Sequence, residues 1–413
     1  MTRSTAKGLR RGQPIWLRGR DQRHARYPKL NGTHEAEVVI IGGGVTGALV
    51  ALKFATAGVR VTLVEGETVG RGSTAASSAL ILPDPDQGIH RLTERYGRIA
   101  GRRIWQLSHE AVREFIATLR QHRISCELVE RQVVHFTTDP NAADRLRLEY
   151  LQRKAAGFAC DWLTPDKLRR LTGIAGAGAI RSNGSAQVNP YRACVGVMRA
   201  ASSAGARIYE RSPVTRITTR GNHVRVSTSR GRIDAARVIV ATGYATARFR
   251  PLAGRFRMYR TYVLVTRRLT VCQRRKLGLG PLLVWDTERP YHYARWTSDH
   301  RLLLGGGDRP VRAGHHRAVQ FASATRELRG DFERLFPSLA NVSIDAAWEG
   351  LFALTPDSLP YIGPHRRYPR HLFALGYGGN GMTFASLAAR LLLEYWTGAL
   401  SGDERLFRFG RLR

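Results

Sequence analysis

Cysteine is scarce in this sequence, and no two cysteines stand at the spacing that metal sites or redox motifs use. The four in 413 residues are Cys126, Cys160, Cys194 and Cys272. Such scattered cysteines are typical of reduced thiols in a cytoplasmic protein, and they form no disulfide framework. His315 and His316 add no metal site, because adjacent side chains on a strand or helix point in different directions. The sequence therefore predicts no metal.

Long apolar runs are also missing. The longest uncharged run near the start, from Val38 to Lys53, contains several glycines and is shorter than the roughly 18 apolar residues that a membrane span needs. Residues 1–35 lack the apolar segment of a secretory signal, and their only apolar nucleus is Trp16 with Leu17. We interpret them as a basic N-terminal arm, with a transit peptide as the alternative.

Three common catalytic motifs are absent from the sequence. No lysine follows a glycine, which excludes the phosphate-binding loop GxxxxGK[ST]. There is no HExxH and no GxSxG, which excludes the usual zinc-peptidase helix and the nucleophile turn of α/β-hydrolases.

Acidic residues and lysines are few. The chain has 66 Lys and Arg against 32 Asp and Glu, a formal net charge of +34. Only six basic residues are lysines: Lys7, Lys29, Lys53, Lys154, Lys167 and Lys276. A GC-rich coding sequence would produce such an arginine excess without selection, whereas a nucleic acid or anionic membrane partner would favour it by electrostatic attraction. Because 43% of the residues are hydrophobic, we expect a folded chain of two or three domains.

A dinucleotide-binding motif follows the N-terminal arm. Val38–Ile41 is a β-branched run typical of a buried parallel strand, and it leads into Gly42, Gly44 and Gly47 in the pattern GxGxxG. The helix predicted from about Val45 to Ala57, with Thr46 in its first turn, would direct its N-terminal N–H groups at a pyrophosphate. Gly58 is suited to end that helix.

Glu65 marks the end of the second predicted strand, residues 59–64. A carboxylate at this place accepts hydrogen bonds from the hydroxyl groups of a ribose and repels a 2′-phosphate. The unit therefore predicts bound FAD or NAD rather than NADP. A glycine-rich turn in an ordinary α/β protein is the alternative.

Three later segments favour a flavin. Residues 71–78 are small and hydroxylic, and Gly72, Ser73, Thr74 and Ser77 provide donors for a pyrophosphate and ribityl chain. Residues 206–214, which end at Val214, and residues 236–244, which contain Thr242 and Gly243, are typical of strands that return to a nucleotide-binding sheet. The third segment comprises WEGLFALTPDSLPYIG at residues 348–363 and LGYGGNGMTF at residues 375–384, followed by a helix predicted from about Ala385 to Trp396.

Together these motifs resemble the D-amino-acid-oxidase-like family of FAD-dependent oxidoreductases, which includes glycine and sarcosine oxidases. The resemblance implies an α/β fold, α+β overall, with a Rossmann-like FAD-binding domain and an inserted substrate domain built on a mixed or antiparallel sheet. It also implies that a glycine-rich turn closes over the flavin with its backbone N–H groups. The residues of that turn are Gly378, Gly379, Asn380, Gly381, Met382 and Thr383. A simple loop before a packing helix is the alternative for the turn.

The resemblance divides the chain into domains. Residues 1–35 form the arm and residues 401–413 a C-terminal tail. The FAD-binding domain comprises residues 36–123, 186–248 and 348–400, and the substrate domain comprises residues 124–185 and 249–347.

The substrate-facing candidates lie in residues 290–297. On a strand, Tyr291, Tyr293 and Arg295 share one face, and His292 and Trp296 share the other. Two phenols and a guanidinium facing a flavin would suit a polar or anionic substrate, since arginine binds a carboxylate through two hydrogen bonds. An ordinary half-exposed strand is the alternative.

The sequence departs from the family at three places. Phe352 stands where glycine-oxidase-like members have an arginine for the substrate carboxylate, which weakens an α-amino-acid assignment. Gly350 lies near the position at which monomeric sarcosine oxidases have the cysteine that attaches their flavin. Because glycine cannot form that bond, we expect FAD to be non-covalent. Monomeric sarcosine oxidases activate O₂ with a lysine on a sheet strand over the flavin. Here no lysine follows Lys276, and residues 302–304 are apolar. An electron acceptor other than O₂ is therefore compatible with the sequence, and so is O₂, since other oxidases lack that lysine.

The sequence thus predicts a FAD-dependent oxidoreductase that oxidises the C–N bond of a small-molecule amine or amino acid. In the resembling family a hydride passes from the carbon next to nitrogen to flavin N5, and the imine is hydrolysed. Two other functions stay open: a flavoenzyme acting on a modified base of tRNA, and a flavoprotein that serves as a binding subunit. Nucleic acid is the less favoured partner because no RNA-binding module is recognisable.

Overall fold

The computed structural model describes residues 6–18, 26–244, 246–312 and 316–412, without the side chains of Ala6, Lys7 and Ala247. His315 and parts of the basic N-terminal arm, residues 1–5 and 19–25, lie outside this part of the chain.

The strands occupy short segments along the whole described chain. They are β1 (Arg10–Gly12), β2 (Gly32–Ile41), β3 (Val61–Val64), β4 (Leu80–Ile81), β5 (Val129–Thr137), β6 (Cys160–Leu163), β7 (Gly178–Gln187), β8 (Arg207–Tyr209), β9 (Arg216–Arg220), β10 (His223–Ser227), β11 (Gly231–Gly243), β12 (Arg257–Thr266), β13 (Leu283–Asp286), β14 (Tyr293–Trp296), β15 (Leu302–Pro310), β16 (Ile344–Leu354), β17 (Tyr361–His365) and β18 (Tyr368–Leu375).

The helices alternate with the strands. They are α1 (Ala6–Leu9), α2 (Val45–Thr56), α3 (Ser73–Ala76), α4 (Ile89–Gln121), α5 (Pro140–Ala155), α6 (Pro165–Thr172), α7 (Pro190–Ser203), α8 (Arg250–Ala253), α9 (Val271–Leu277), α10 (Arg317–Leu335) and α11 (Gly381–Thr397).

The first sheet has eight strands and a parallel centre. Strands β18, β11, β2, β3 and β8 lie side by side in parallel, with β17 antiparallel at one edge and the β9–β10 hairpin paired to β11. Helices α2, α7, α11 and α4 pack together against it. The side chains of Val38, Val39 and Ile40 are fully buried, as expected of a parallel strand covered on both faces.

The second sheet has ten strands, in the order β1-β16-β12-β15-β14-β13-β5-β7-β4, with β6 also paired to β7. All neighbours are antiparallel except β5 and β13. Helix α10 packs on β12 and β15 over a separate apolar core. This mixed, mainly antiparallel sheet agrees with the predicted class.

The described parts of the arm and tail are built into the fold. Strand β1 pairs with residues 348–350 of β16, so the arm adds an edge strand to the second sheet. Trp16 and Leu17 are buried. In the tail, Phe407 is buried and Arg411 forms a buried ion pair with Asp357. The predicted domain limits stay a prediction, although β16 crosses the limit placed at residue 348 and pairs within the second sheet.

Element boundaries follow the sequence closely near the glycine motif. Helix α2 ends at Thr56, and Gly58 has a φ of +80°, which a glycine adopts without strain. Strand β3 begins two residues later than predicted, and helix α11 begins four residues earlier than predicted, at Gly381.

All four cysteines are free, and Cys272 is exposed. Within the described ranges, no helix is long and apolar enough to span a membrane.

Candidate active site

A cavity of about 1070 Å³ is lined by residues of both sheets. Its walls include the ends of β2 and β11 from the first sheet and residues of β14, β15 and β16 from the second. Most of the predicted cofactor-binding residues line it: Gly42, Gly44, Val45, Thr46, Glu65, Gly72, Ser73, Thr74, Ser77, Val214, Thr242, Gly243, Gly378, Gly379, Asn380, Gly381 and Met382. The structure thus brings together segments that are more than 300 residues apart in the sequence.

The glycine turn forms one end of the cavity. A Cβ at Gly42, where φ is +112°, would lie 2.6 Å from the carbonyl oxygen of Ala241. Gly47 does not line the cavity; a Cβ there would lie 1.9 Å from the carbonyl oxygen of Gly42. Glycine is therefore required at Gly42 for the turn to lie against β11, and at Gly47 for helix α2 to lie against the turn.

Glu65 lies beside this turn. Its carboxylate accepts hydrogen bonds from the backbone N–H of Gly43, at 2.6 Å, and of Glu67, at 2.8 Å. Burial raises the pKa of Glu65. The carboxylate is therefore held in place at the end of β3, where the sequence analysis placed a ribose-binding group.

The segment around α3 is held by three side chains that donate to consecutive carbonyl groups. Trp348 Nε1 donates to the carbonyl of Ala76 at 2.8 Å, and Trp16 Nε1 donates to that of Ser77 at 3.0 Å. Arg295 Nε donates to the carbonyl of Ser78 at 2.7 Å. Ser73, Thr74 and Ser77 are thereby held at the cavity wall, and the first N–H of α2, on Val45, donates to Thr74 Oγ1.

The prediction that Arg295 faces the substrate is wrong. Arg295 is 2% exposed, does not line the cavity, and also donates to the carbonyl of Val188 at 2.9 Å. Its guanidinium lies over the Trp16 ring, 4.9 Å from the ring centre. Burial lowers its pKa to about 9. The side chain shares a face with Tyr293, as alternation requires, but its hydrogen bonds connect β14 to the α3 segment.

The glycine-rich turn before α11 is fixed to residues 82–86. Gly379 N donates to Asp86 Oδ2 at 3.0 Å, and Asn380 Nδ2 donates to Asp86 Oδ1 at 3.0 Å. Thr383 does not line the cavity, since its hydroxyl donates to the carbonyl of Leu82.

The prediction for the N–H groups of this turn needs a correction. Those of Gly378, Gly379 and Asn380 already donate to Ala353 O, Asp86 and Tyr377 O. The donors left for a ligand are those of Gly381 and Met382, because the first N–H groups of a helix have no partner within it.

Aromatic side chains dominate the other end of the cavity. Tyr291 and Tyr293 line it as predicted, with ring centres 5.9 Å apart, and the Tyr293 hydroxyl lies 3.1 Å from Thr261 Oγ1. Trp285 packs edge-on against Tyr291, and the indole N–H of Trp285 is buried without a hydrogen-bond partner among the described residues. His292 lies outside the cavity, between the carboxylates of Asp286 and Asp331.

Sequence reasoning missed two acidic residues at this aromatic end, Asp86 and Asp308. Both line the cavity. Burial raises the pKa of Asp308 to about 7 and also raises the pKa of Asp86. No motif marks them: Asp86 follows a loop rich in Pro and Asp, and Asp308 follows three glycines in β15. Their significance appears only when β15 and the residue 82–86 segment are placed in space.

The departures from the family also lie at the cavity. Gly350 and Phe352 line it, and a Cβ at Gly350 would lie 2.9 Å from the Cβ of Ala76. Phe352 stacks on Tyr259 with ring centres 5.8 Å apart. Among the described residues, no lysine lines the cavity.

These residues fit FAD. The close approach of α2 to β2 and the N-terminal N–H groups of α2 suit a pyrophosphate, and the buried Glu65 carboxylate suits a ribose. The cavity extends beyond them to the tyrosines, which is the room that an isoalloxazine ring and a substrate need.

Comparisons with known proteins agree with this fit. A model of the family described as FAD dependent oxidoreductase matches residues 37–395. The chain is 28% identical to gamma-glutamylputrescine oxidoreductase of Escherichia coli, over 94% of this chain and 89% of that protein. It is 26% identical to glycine oxidase of Geobacillus kaustophilus, over 88% of this chain and 93% of that protein.

Two solved structures have the same fold. The crystal structure of glycine oxidase from Geobacillus kaustophilus matches with a TM-score of 0.77 at 23% identity, over 92% of this chain and 100% of that chain. That of L-proline dehydrogenase from P. horikoshii matches with a TM-score of 0.77 at 19% identity, over 92% of this chain and 99% of that chain. The predicted fold class is confirmed.

Proposed function

The chain belongs to the family of FAD-dependent oxidoreductases, and from this membership we propose that it oxidises the carbon–nitrogen bond of an amine or amino acid. Its cofactor is FAD. The observation that carries the proposal is one cavity that is lined both by the dinucleotide-binding residues and by the aromatic residues Trp285, Tyr291 and Tyr293. Gamma-glutamylputrescine oxidoreductase and glycine oxidase, two relatives that align with most of the chain, are both named for the oxidation of nitrogen compounds.

The residues that would hold FAD divide by the part of the molecule they suit. Glu65 would accept hydrogen bonds from the adenosine ribose, and the turn at Gly42 and Gly44 would receive the pyrophosphate. Gly381 and Met382 would donate their free N–H groups to the isoalloxazine ring, where such donors stabilise negative charge. Because Gly350 has no side chain to form a covalent bond, we expect FAD to dissociate from the unfolded protein.

At the aromatic end, the chain positions a substrate and excludes water. FAD, when bound, would supply the two-electron oxidation of the carbon attached to nitrogen, by hydride transfer, and water would hydrolyse the resulting imine. Tyr291 and Tyr293 form a rigid wall because they pack on Trp285 and on the backbone of Gly305. Burial raises the pKa of both tyrosines, so both are neutral hydrogen-bond donors at physiological pH.

The direct test is anaerobic reduction. Denaturation of the holoenzyme should release FAD. The native holoenzyme should lose its yellow colour, without oxygen, when it is mixed with some member of a panel of amino acids, N-methyl amino acids and polyamines. A carbonyl compound should appear in equal amount to the flavin reduced. If no amine reduces the flavin while dithionite does, the proposal fails and the alternative of a non-enzymatic flavoprotein gains support.

Several finer points stay predictions. They are the cytoplasmic location, the non-covalent attachment of FAD and the electron acceptor, for which O₂ and a quinone or other acceptor both stay open. The alternative of a modified tRNA base has no support in the family match or in the relatives, and we do not propose it.

A further inference from the structure

The carboxylates of Asp86 and Asp308 both lie at the aromatic end of the cavity. A methyl group at Gly379 would lie 2.4 Å from the Tyr291 hydroxyl and 3.0 Å from Asp86 Oδ1, so Asp86 and the phenol converge on one point. The pKa of Tyr291 is raised well above its usual value, mainly by burial and then by the negative charges of Asp86 and Asp308. Both carboxylates therefore act on the same phenol.

Two polar groups at this end lack a partner in the described chain. Asp308 is partly exposed as a residue, yet its Oδ1 atom is buried and accepts no hydrogen bond. The Trp285 side chain, 7% exposed, has an unpaired indole N–H in the cavity wall. Unpaired buried polar groups are costly, which indicates that bound molecules supply their partners. Asp308 Oδ1 needs a donor such as a protonated nitrogen, whereas the indole N–H needs an acceptor, so only Asp308 indicates a cation.

Asp86 and Asp308 lie at the aromatic end of the cavity, whereas the basic side chains that line the cavity lie at its other end. In the described part of the chain, the only basic residues that line the cavity are Arg211 and Arg248, which lie near Glu67 and Val214 at the other end. Arg289 lies outside the lining, with its guanidinium 5.8 Å from the ring centre of Tyr291. A third carboxylate, Asp84, is already paired with the buried Arg153.

We propose that this end of the cavity binds a positively charged nitrogen of the substrate, and that Asp86 and Asp308 select a cationic amine over a substrate with a carboxylate at the same place. The inference rests on the proposed function and reverses the anionic substrate expected from Arg295. The aromatic walls support it, because a cation is attracted to the faces of Trp and Tyr rings. A substrate carboxylate here would meet two like charges, and Arg289, the arginine beside Tyr291, does not line the cavity.

Binding can be measured separately from turnover. Butyltrimethylammonium is a suitable probe because its nitrogen has no lone pair, so removal of a hydride cannot form an imine. Butanol and butanoate provide neutral and anionic probes with the same chain length. Each is titrated into the holoenzyme at pH 8, and binding is followed by the change in the flavin absorption spectrum or by calorimetry. We expect the cation to bind at least about tenfold more tightly than butanoate.

Substitutions identify the groups responsible. Asp308→Asn should weaken binding of the cation about tenfold or more and leave binding of butanol within about twofold, and Asp86→Asn should act in the same direction. Asp161→Asn, at an exposed aspartate of β6 far from the cavity, is the matched control and should change neither. FAD content and circular dichroism show whether each variant is folded; if Asp86→Asn fails to fold, Asp308→Asn decides.

The inference is overturned if butanoate binds as tightly as the cation, or if folded Asp308→Asn binds the cation as the wild type does. Failure of the proposed function has a different signature: the cation still binds through Asp308, but no amine reduces the flavin. Reduction by an amine without any effect of Asp308→Asn on cation binding would retain the function and reject the inference.

Discussion

The protonation state of Asp308 should make the binding of a cation in the cavity depend on pH. The pKa of Asp308 is raised to about 7, mainly by burial and also by the negative charge of Asp86, against the lowering effects of the Thr261 hydrogen bond and of His292. Below that pH the carboxyl group is neutral in the free protein, and above it the group is ionised. A cation with a fixed charge binds the ionised form better, so its binding must release a proton when the pH lies below the pKa.

The affinity for butyltrimethylammonium should therefore rise by about tenfold or more in total from about pH 6 to about pH 8 and level off above the pKa, because the neutral carboxyl group binds the cation about as weakly as the amide in Asp308→Asn. Because the probe has no titratable group, the profile reports the protein alone. In Asp308→Asn the rise centred near pH 7 should be lost, and the pH dependence that remains belongs to Asp86, whose pKa is also raised by burial. A profile that is flat in the wild type, or unchanged in the variant, would contradict the assignment of Asp308.

Arg295 provides a second test at the scale of one residue. Replacing it with Met removes the donors to the carbonyls of Ser78 and Val188 and the contact with Trp16. We expect a loss of about 1–3 kcal/mol in the free energy of unfolding, because buried carbonyl groups lose their partners. The dissociation constant of the cationic probe should stay within about twofold of the wild-type value.

Chemical denaturation and titration of the same Arg295→Met preparation provide both numbers. Arg295→Lys is the informative comparison: it retains one nitrogen donor but cannot reach both carbonyls in the same geometry, so it should also be destabilised. A folded, fully stable Arg295→Met that binds substrate poorly would restore the role that the sequence suggested.

At the scale of elements, the unit β2-α2-β3 depends on close contact between helix and strand. In Gly47→Ala the new methyl group would lie 1.9 Å from the carbonyl oxygen of Gly42. Because backbone cannot move aside as a side chain can, we expect at least about 1–3 kcal/mol of destabilisation and loss of most bound FAD. Thermal unfolding and FAD content after purification measure these effects.

Gly330 is the matched control. It lies in α10, is exposed, and a Cβ there would have no atom within 4 Å. Gly330→Ala should therefore stabilise the protein by about 0.5–1 kcal/mol, since alanine favours the helix. If Gly47→Ala behaved like Gly330→Ala, the close approach of α2 to β2 would not be a requirement for FAD binding.

Some parts of the site could be predicted from the sequence, because their residues lie within one or two neighbouring secondary-structure elements. The unit from Val38 to Glu65 is local: strand, glycine turn, helix and carboxylate follow one another, and each is marked by residue type. The role of Arg295 is not local. Alternation correctly placed it on a face with Tyr293, but its partners, at Ser78 and Val188, are more than 100 residues away in the sequence.

Asp86 and Asp308 were unpredictable for the same reason. An aspartate next to proline or glycine in the sequence is usually part of a solvated loop, and nothing in the local pattern indicates burial. Only the pairing of β12 with β15 and the contact of residues 82–86 with the turn before α11 bring the two into one cavity. Charge recognition in this protein is therefore a property of the tertiary structure.

At the scale of the whole molecule, the net charge of +34 and the acidic end of the cavity act on different ligands. A positive surface attracts the anionic pyrophosphate of FAD from a distance, and the effect falls as salt screens it. The association rate of FAD with the apoprotein should therefore fall several-fold as ionic strength rises from about 0.01 M to about 0.15 M. Stopped-flow quenching of flavin fluorescence measures it, and riboflavin, which lacks phosphate, should show no such fall.

We propose above that an amine is oxidised in this cavity with FAD as the oxidant. The most direct measurement is an anaerobic titration of the holoenzyme with the best amine of the panel, followed by flavin absorbance and by analysis of the product. One equivalent of amine should fully reduce one equivalent of flavin and yield one equivalent of carbonyl compound. Flavin that stays oxidised under excess of every amine, although dithionite reduces it, would contradict the proposed function.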